Sequence, residues 1–238
     1  MSHRRPAQLA LPLKTWGGQR ANAGRKRRAG ARSSVPHRPR APHRAAHPVH
    51  ATLRAREGLP PFREQALFRV IREGIRRASQ SPTVGPAFRV VHFSVQRDHL
   101  HLIVEAHDGS VLARGMQGLG IRLARAINKL LDMRGSVFEG RFHSHELRTP
   151  REVRNALVYV LMNFKKHEQA PRRSLDPLSS AAWFDGFREA IGPPPEMDRP
   201  VVGSRTWLGS RGWRRRGLVG LSEAPLAASS RTNSRNQP

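Results

Sequence analysis

FRVVHFSVQRDHLHLIVE, residues 88–105, sets two runs of β-branched and aromatic residues on either side of the polar triplet Gln96-Arg97-Asp98. That composition predicts a β-hairpin, with one strand from Phe88, the other from His99, and the triplet as a tight turn. Successive strand residues point to opposite faces, so His99, His101, Ile103 and Glu105 share one side while Leu100, Leu102 and Val104 share the other. The apolar set turns inward. The two imidazoles then stand about 6–7 Å apart along the strand, on the side away from that core, near enough to hold one divalent metal ion. In a chain with 12 histidines a His-x-His pair also arises without any such role, so the motif needs a partner.

A later helix supplies one. Thr149-Pro150-Arg151-Glu152 has the spacing of a capping box with proline in the first turn, which starts a helix with Thr149 as its N-cap. Val153, Leu157, Val160, Leu161 and Phe164 form its apolar stripe, while Glu152, Asn155, Tyr159, Asn163 and Lys166 gather on one flank. Tyr159 is the single tyrosine of the chain, and Asn163 follows one turn on, about 6 Å along the axis. Phenol and carboxamide therefore project from the same face. The plainer alternative is a boundary tyrosine with a wet hydroxyl beside a surface asparagine.

Taken together, His99-Leu100-His101 and Tyr159-Val160-Leu161-Met162-Asn163 resemble the HUH single-tyrosine transposases, and among them the REP-associated tyrosine transposases. In that family a His-hydrophobic-His strand meets a helix carrying Tyr-x-x-x-Asn or Tyr-x-x-x-Gln. Gly135-Ser136-Val137-Phe138-Glu139-Gly140-Arg141 also looks like the family's Gly-x-hydrophobic-aromatic-x-x-Arg stretch before the tyrosine helix. The resemblance spans roughly residues 47–167. It implies an α+β fold with a ferredoxin-like antiparallel sheet, the histidines on its exposed side and the tyrosine helix brought over them. It further implies a transposase that cleaves and rejoins single-stranded or hairpin DNA. Mg²⁺ or Mn²⁺ would be held by His99 and His101 with Asn163 as third ligand, and Tyr159 would be the nucleophile that leaves a 5′-phosphotyrosine and a free 3′-OH. The chain departs from the pattern at Phe164, where many relatives have proline. Gln169 is then a fallback ligand, and Glu105 shares the histidine face. Some relatives bring the tyrosine helix of one chain to the histidines of another, so a monomer and a homodimer both stay open.

Composition points toward the same partner. The 238 residues carry 43 Lys+Arg against 17 Asp+Glu, a net charge of +26, which calls for a polyanion. The absence of cysteine removes disulfides and thiolate–zinc sites, leaving imidazole, carboxylate and amide ligands that suit Mg²⁺ or Mn²⁺. No apolar run is long enough to span a bilayer and the N-terminus has no signal-peptide core, so the expectation is a cytoplasmic, nucleoid-associated protein without membrane contact.

The expected layout has three parts. Residues 1–45 carry twelve Lys or Arg and no acid, and read as a disordered basic arm whose cluster Arg25, Lys26, Arg27 and Arg28 neutralises phosphates. Residues 46–167 hold the catalytic domain, which is basic in its own right and adds Arg54, Arg97, Arg141 and Lys166 as DNA contacts. Residues 168–238 read as a partly ordered tail. Its Trp207, Trp213 and Arg214-Arg215-Arg216 either stack on bases and hold phosphates or dock the tail onto the domain.

Within the central part, Pro48–Arg54 alternates as a strand presenting His50, Thr52 and Arg54 beside the paired histidines. A helix is expected from Pro61 to about Ser79 and another over Val111–Met133, weakened in its first half by Gly115, Gly118 and Gly120. A short strand falls at Val137-Phe138 or Ser144–Leu147, and the tyrosine helix runs to about His167. The order is β-α-β-β-α-β-α, with helices on one face of an antiparallel sheet. Composition and fold alone fit a second function as well, a non-catalytic protein that binds hairpin DNA or another nucleic acid; only the His-His-Tyr-Asn set separates the two.

Overall fold

A computed structural model describes residues 42–81, 87–166, 171, 174–192 and 199–225. Arg25, Lys26, Arg27, Arg28 and Gln169 lie outside the described residues, as does the side chain of Lys166. The elements are β1 (Val49–Arg54), α1 (Gln65–Ser79), β2 (Phe88–Val95), β3 (His99–Ala106), α2 (Gly109–Leu130), β4 (His143–Glu146) and α3 (Pro150–Met162). The four strands form one antiparallel sheet in the order β2-β3-β1-β4. A β-α-β-β-α-β chain in that spatial order is the ferredoxin-like arrangement, which places β1 and β3 at the centre.

Two layers of apolar side chains sandwich this sheet. On one face Val49, Ala51, Leu53, Leu100, Leu102 and Val104 meet the stripes of α1 (Leu67, Ile71, Ile75) and α2 (Leu112, Met116, Leu119, Leu123, Ile127). Both helices approach closely because glycines lie at the contacts. A Cβ on Gly115 would overlap the Phe88 ring, and one on Gly74 would press on Leu123. On the opposite face Val91 and Ile103 pack against α3 and against Phe184, Phe187, Trp213 and Val219 from beyond it.

The hairpin forms where the sequence places it, with the Gln96 N–H donating to the His99 carbonyl at 2.8 Å across the turn. The two-strand reading passed over a bulge at Val91, between the pairs Val90–Val104 and His92–Ile103. The extra residue shifts the phase of β2. Phe88, Val90, Phe93 and Val95 all face α1 and α2, while Val91 turns toward α3.

Several boundaries differ from expectation. Helix α1 starts at Gln65 instead of Pro61, because Phe62 is fully buried with its N–H on the Arg97 carbonyl (2.8 Å) and Arg63 is drawn to Asp176 (3.0 Å). Helix α2 is displaced toward the N-terminus, since Asp108 caps it by accepting from Ser110 and Val111 N–H. It ends at Leu130, which is 42% exposed and leaves the stripe. The fourth strand is the His143–Glu146 segment, and Phe138 makes only an isolated bridge to Ala55. Helix α3 has the expected capping box at Thr149 and Glu152, but it gives way after Met162 to a 3₁₀ turn over Asn163–Lys166.

The far sheet face is not left open. The stretch after α3 returns across it, with Trp213 at 1% exposure and Phe184 5.5 Å from it, ring centre to ring centre. Gly186 is required beneath the Trp213 ring, which a Cβ would overlap. Arg154 on α3 ties this stretch down by donating to the Leu218 carbonyl (2.9 Å) and to Glu223 (2.7 and 3.0 Å). Trp213 therefore docks, whereas Trp207 is 49% exposed.

Candidate active site

Antiparallel register sets the site. On β1 and β3, Thr52 lies opposite His101, Arg54 opposite His99 and His50 opposite Ile103, so these side chains share the face that the leucines leave. Edge strand β4 adds His143 opposite Thr52 and His145 opposite His50. Helix α3 crosses this face and brings the Tyr159 ring over it. Tyr159 lies edge-on to His101 with ring centres 4.9 Å apart, and edge-on to His50 at 5.5 Å. Tyrosine and histidines of one chain thus meet.

The histidine nitrogens are not interchangeable. His99 Nε2 faces His101 Nε2 at 2.9 Å. The outer nitrogens are already engaged: His99 Nδ1 is 2.7 Å from the Asp98 carboxylate, and His101 Nδ1 is 3.2 Å from the Thr52 hydroxyl and 3.3 Å from His50 Nε2. A carboxylate accepts only, so His99 donates from Nδ1 to Asp98 and presents Nε2 to His101. The hydrogen bond from His99 holds the Asp98 pKa below the ordinary carboxylate value, with lesser help from the His99 and Arg54 charges, so the acceptor stays ionised.

Burial has opposite consequences for two neighbours. His50 is pushed down to about 4, chiefly by burial and further by the charges of His145 and His99, so it is neutral at physiological pH. The Tyr159 phenol is raised above its ordinary value by burial alone. Its surroundings as they stand do not favour the phenolate.

The inward nitrogens fit a divalent cation. Two ligands at right angles on an ion with bonds of about 2.1 Å lie about 3 Å apart, close to the observed spacing. The outer partners orient both rings as metal-bound histidines require. Among the described residues no group of three or more His, Asp or Glu is arranged to hold a metal. Asn163 is 1% exposed at the C-cap of α3, one turn beyond Tyr159.

Glu105, four residues along β3 from His101, takes no part. Its carboxylate accepts from the Ser204 hydroxyl, Arg205 N–H (2.8 Å), Thr206 N–H (3.1 Å) and the Thr206 hydroxyl (2.8 Å), which anchors the loop at 203–206. Arg54, Arg97 and Arg141 are exposed; Arg54 stands beside the site, 3.5 Å from Asp98, whereas Arg141 lines a cavity with Leu53 and with Met116, Gln117 and Ile121 of α2, away from the histidines. Sequence reasoning passed over Asp98, which reads as an ordinary turn residue. It also passed over His143 and His145, whose own strand-spaced His-x-His pattern was the available signal.

Neither a protein-family profile nor a curated protein sequence matches the chain. Among solved structures it is similar to that of a REP-associated tyrosine transposase bound to a REP hairpin, with a TM-score of 0.51 and 16% sequence identity, over 72% of this chain and 98% of that one. The likeness covers nearly the whole of that protein, and the two share the α+β fold with its open four-stranded antiparallel sheet. No helix among the described residues is long and apolar enough to cross a membrane.

Proposed function

We propose that the chain is a single-stranded DNA endonuclease and strand transferase of the transposase kind, acting on hairpin-bearing DNA through a 5′-phosphotyrosine. The observation that carries the reading is Tyr159 set edge-on against His101, whose Nε2 faces that of His99. The similarity of the fold to that of a REP-associated tyrosine transposase bound to a REP hairpin supports it. His99 and His101 would hold Mg²⁺ or Mn²⁺, with Asn163 as the third protein ligand, and such an ion would offset charge on a bound phosphate. The exposed Arg54 beside Asp98 would draw the DNA backbone to the site, and the exposed Arg97 and Arg141 would add to the general attraction for phosphate.

In the reaction the Tyr159 oxygen attacks phosphorus and loses its proton to solvent. The bond from phosphorus to the 3′-oxygen breaks, and that oxygen leaves as a hydroxyl after taking up a proton. Phosphoester bonds made and broken are equal in number, so the step reverses and strands can be rejoined. Burial raises the phenol, so a divalent cation held by His99 and His101 would supply the positive charge that eases loss of its proton.

A labelled hairpin with a single-stranded flank, incubated with Mn²⁺ or Mg²⁺ and resolved under denaturing conditions, should give a covalent protein–DNA adduct. Tyr159→Phe and His101→Ala should each abolish it. An adduct that persists in Tyr159→Phe overturns the proposal. The raised phenol and the incomplete ligand set favour a second reading, a binding protein on a transposase fold, and metal-independent hairpin binding without adduct would select it.

A further inference from the structure

Behind the Glu105 end of β3 lies a notch of ≈ 360 Å³, lined among others by Arg89, Glu105, His107, Arg205 and Thr206. Arg89 is 8% exposed. One of its terminal nitrogens donates to the Gly203 carbonyl, while its Nε has no hydrogen-bond acceptor and stands 3.7 Å from Glu105. Glu105 accepts its hydrogen bonds from the 203–206 loop and meets Arg89 by charge alone, at 3.7 Å. Burial first, and then the charge of Arg205, depress the Arg89 pKa, as expected of two guanidinium groups facing one space. An anion entering the notch would relieve both.

Directly after Thr206 comes Trp207, one of the few large apolar side chains left open, at 49% exposure. Its ring is held in place. A Cβ on Gly212 would overlap it, and the Arg215 guanidinium lies 4.9 Å from its centre. A tryptophan that is held in place and half exposed, with Arg215 over its ring and the exposed Arg205 and Arg211 nearby in the chain, has the form of a base-stacking platform.

We infer that the notch and Trp207 together bind one unpaired nucleotide of single-stranded DNA, its phosphate between Arg89 and Arg205 and its base on the Trp207 ring. The inference deepens the DNA-handling reading above and adds to it a contact about four residues of strand, roughly 13 Å, beyond the histidines. Such a contact would hold a flanking strand while the paired part of the substrate sits elsewhere.

The test uses the full chain carrying Tyr159→Phe, in EDTA, with a fluorescent single-stranded oligonucleotide and a blunt duplex of the same sequence followed by anisotropy. Trp207→Ala should weaken single-strand binding roughly 5- to 100-fold and leave the duplex unchanged, and Trp207→Phe should restore most of the loss. Arg205→Gln should lower the slope of log affinity against log salt by about 0.7, the value for one phosphate on a single strand. Equal single-strand affinity in wild type and Trp207→Ala, or equal losses on both DNAs, overturns the inference. Since neither metal nor Tyr159 is needed, failure of adduct formation and failure of this contact are separate results.

Discussion

His99 and His101 present their Nε2 atoms to each other at 2.9 Å, while Asp98 holds the far nitrogen of His99 at 2.7 Å. Two lone pairs cannot face one another at that spacing without a proton or a cation between them. The carboxylate behind His99 orients the ring toward the shared position, and outer partners of this kind are worth about 10- to 100-fold in metal affinity. Asp98→Asn should therefore weaken Mn²⁺ binding by about tenfold, the low end, because Asp98 is more than half exposed. Isothermal titration or the Mn²⁺ resonance signal of the DNA-free protein reads this directly; unchanged affinity would mean that the carboxylate does not orient the ring.

Thr52 offers a companion measurement. Its hydroxyl lies 3.2 Å from His101 Nδ1. Thr52→Val keeps the shape and removes the acceptor, so Mn²⁺ affinity should fall while the melting temperature moves by only a few degrees. A large loss of stability with intact metal affinity would assign Thr52 to the sheet and not to the site.

Glu105 is the peg on which the 203–206 loop hangs. Replacing it by alanine strips acceptors from Ser204, Arg205 and Thr206 and leaves Arg89 buried beside no carboxylate. The cost should be about 3–5 kcal/mol, as for a broken buried pair. Urea unfolding followed by tryptophan fluorescence measures it, and a loss below about 1 kcal/mol would show that water serves these groups equally well.

Gly115 and Gly118 lie one turn apart on α2 and should respond to alanine with opposite sign. At Gly118 nothing stands within 4 Å of an added Cβ, so helix propensity alone acts and stability should rise by about 0.5–1 kcal/mol. At Gly115 the new methyl would strike the Phe88 ring, and overpacking of about 1–3 kcal/mol outweighs the same propensity gain. Two variants of equal stability would refute the packing argument.

His92 gives the fold an acid-sensitive point. Buried beside Ser180 and edge-on to Phe184, it is lowered to about 4, by burial first and then by the Arg199 charge. The unfolded chain takes up a proton near pH 6.5 that the folded chain refuses until about 4, so stability is full above 6.5 and falls as the pH drops toward 4. The loss is on the order of 3 kcal/mol. His92→Gln should flatten the dependence of the urea midpoint on pH across that window, and an unaltered slope would locate the sensitivity elsewhere.

The elements legible from sequence are those written in local pattern. The hairpin at 88–105, the capped helix from Thr149 and the stripes of α1 and α2 each follow from strand or helix periodicity and capping chemistry, which act over a few residues. One boundary failed because a distant group took over the backbone: Phe62 is held by Arg97, so α1 starts late. The other failed at a local signal that was passed over, since Asp108 caps α2 earlier than its apolar stripe suggests. The Val91 bulge was passed over although the pattern carries it: Phe88 and Val90 flank Arg89, Phe93 and Val95 alternate with His92 and Ser94, and the phase slips at the doubled Val90-Val91.

At the site the same division holds. Strand alternation by itself put His99 and His101 on one face, and helix spacing put Tyr159 and Asn163 on one flank, because both relations depend only on chain geometry. Whether strand and helix meet, which ring nitrogens turn inward, and that Asp98 and Thr52 hold the outer ones are set by register between strands and by the packing of α3 over the sheet. The roles of Glu105 and the two tryptophans belong to the second kind too. Glu105 shares a strand face with the histidines, yet the 203–206 loop claims it; Trp213 and Trp207 have similar basic surroundings in sequence, yet one is buried and the other open. Residues this far apart in the chain meet only once the core has formed, so no local rule could assign them.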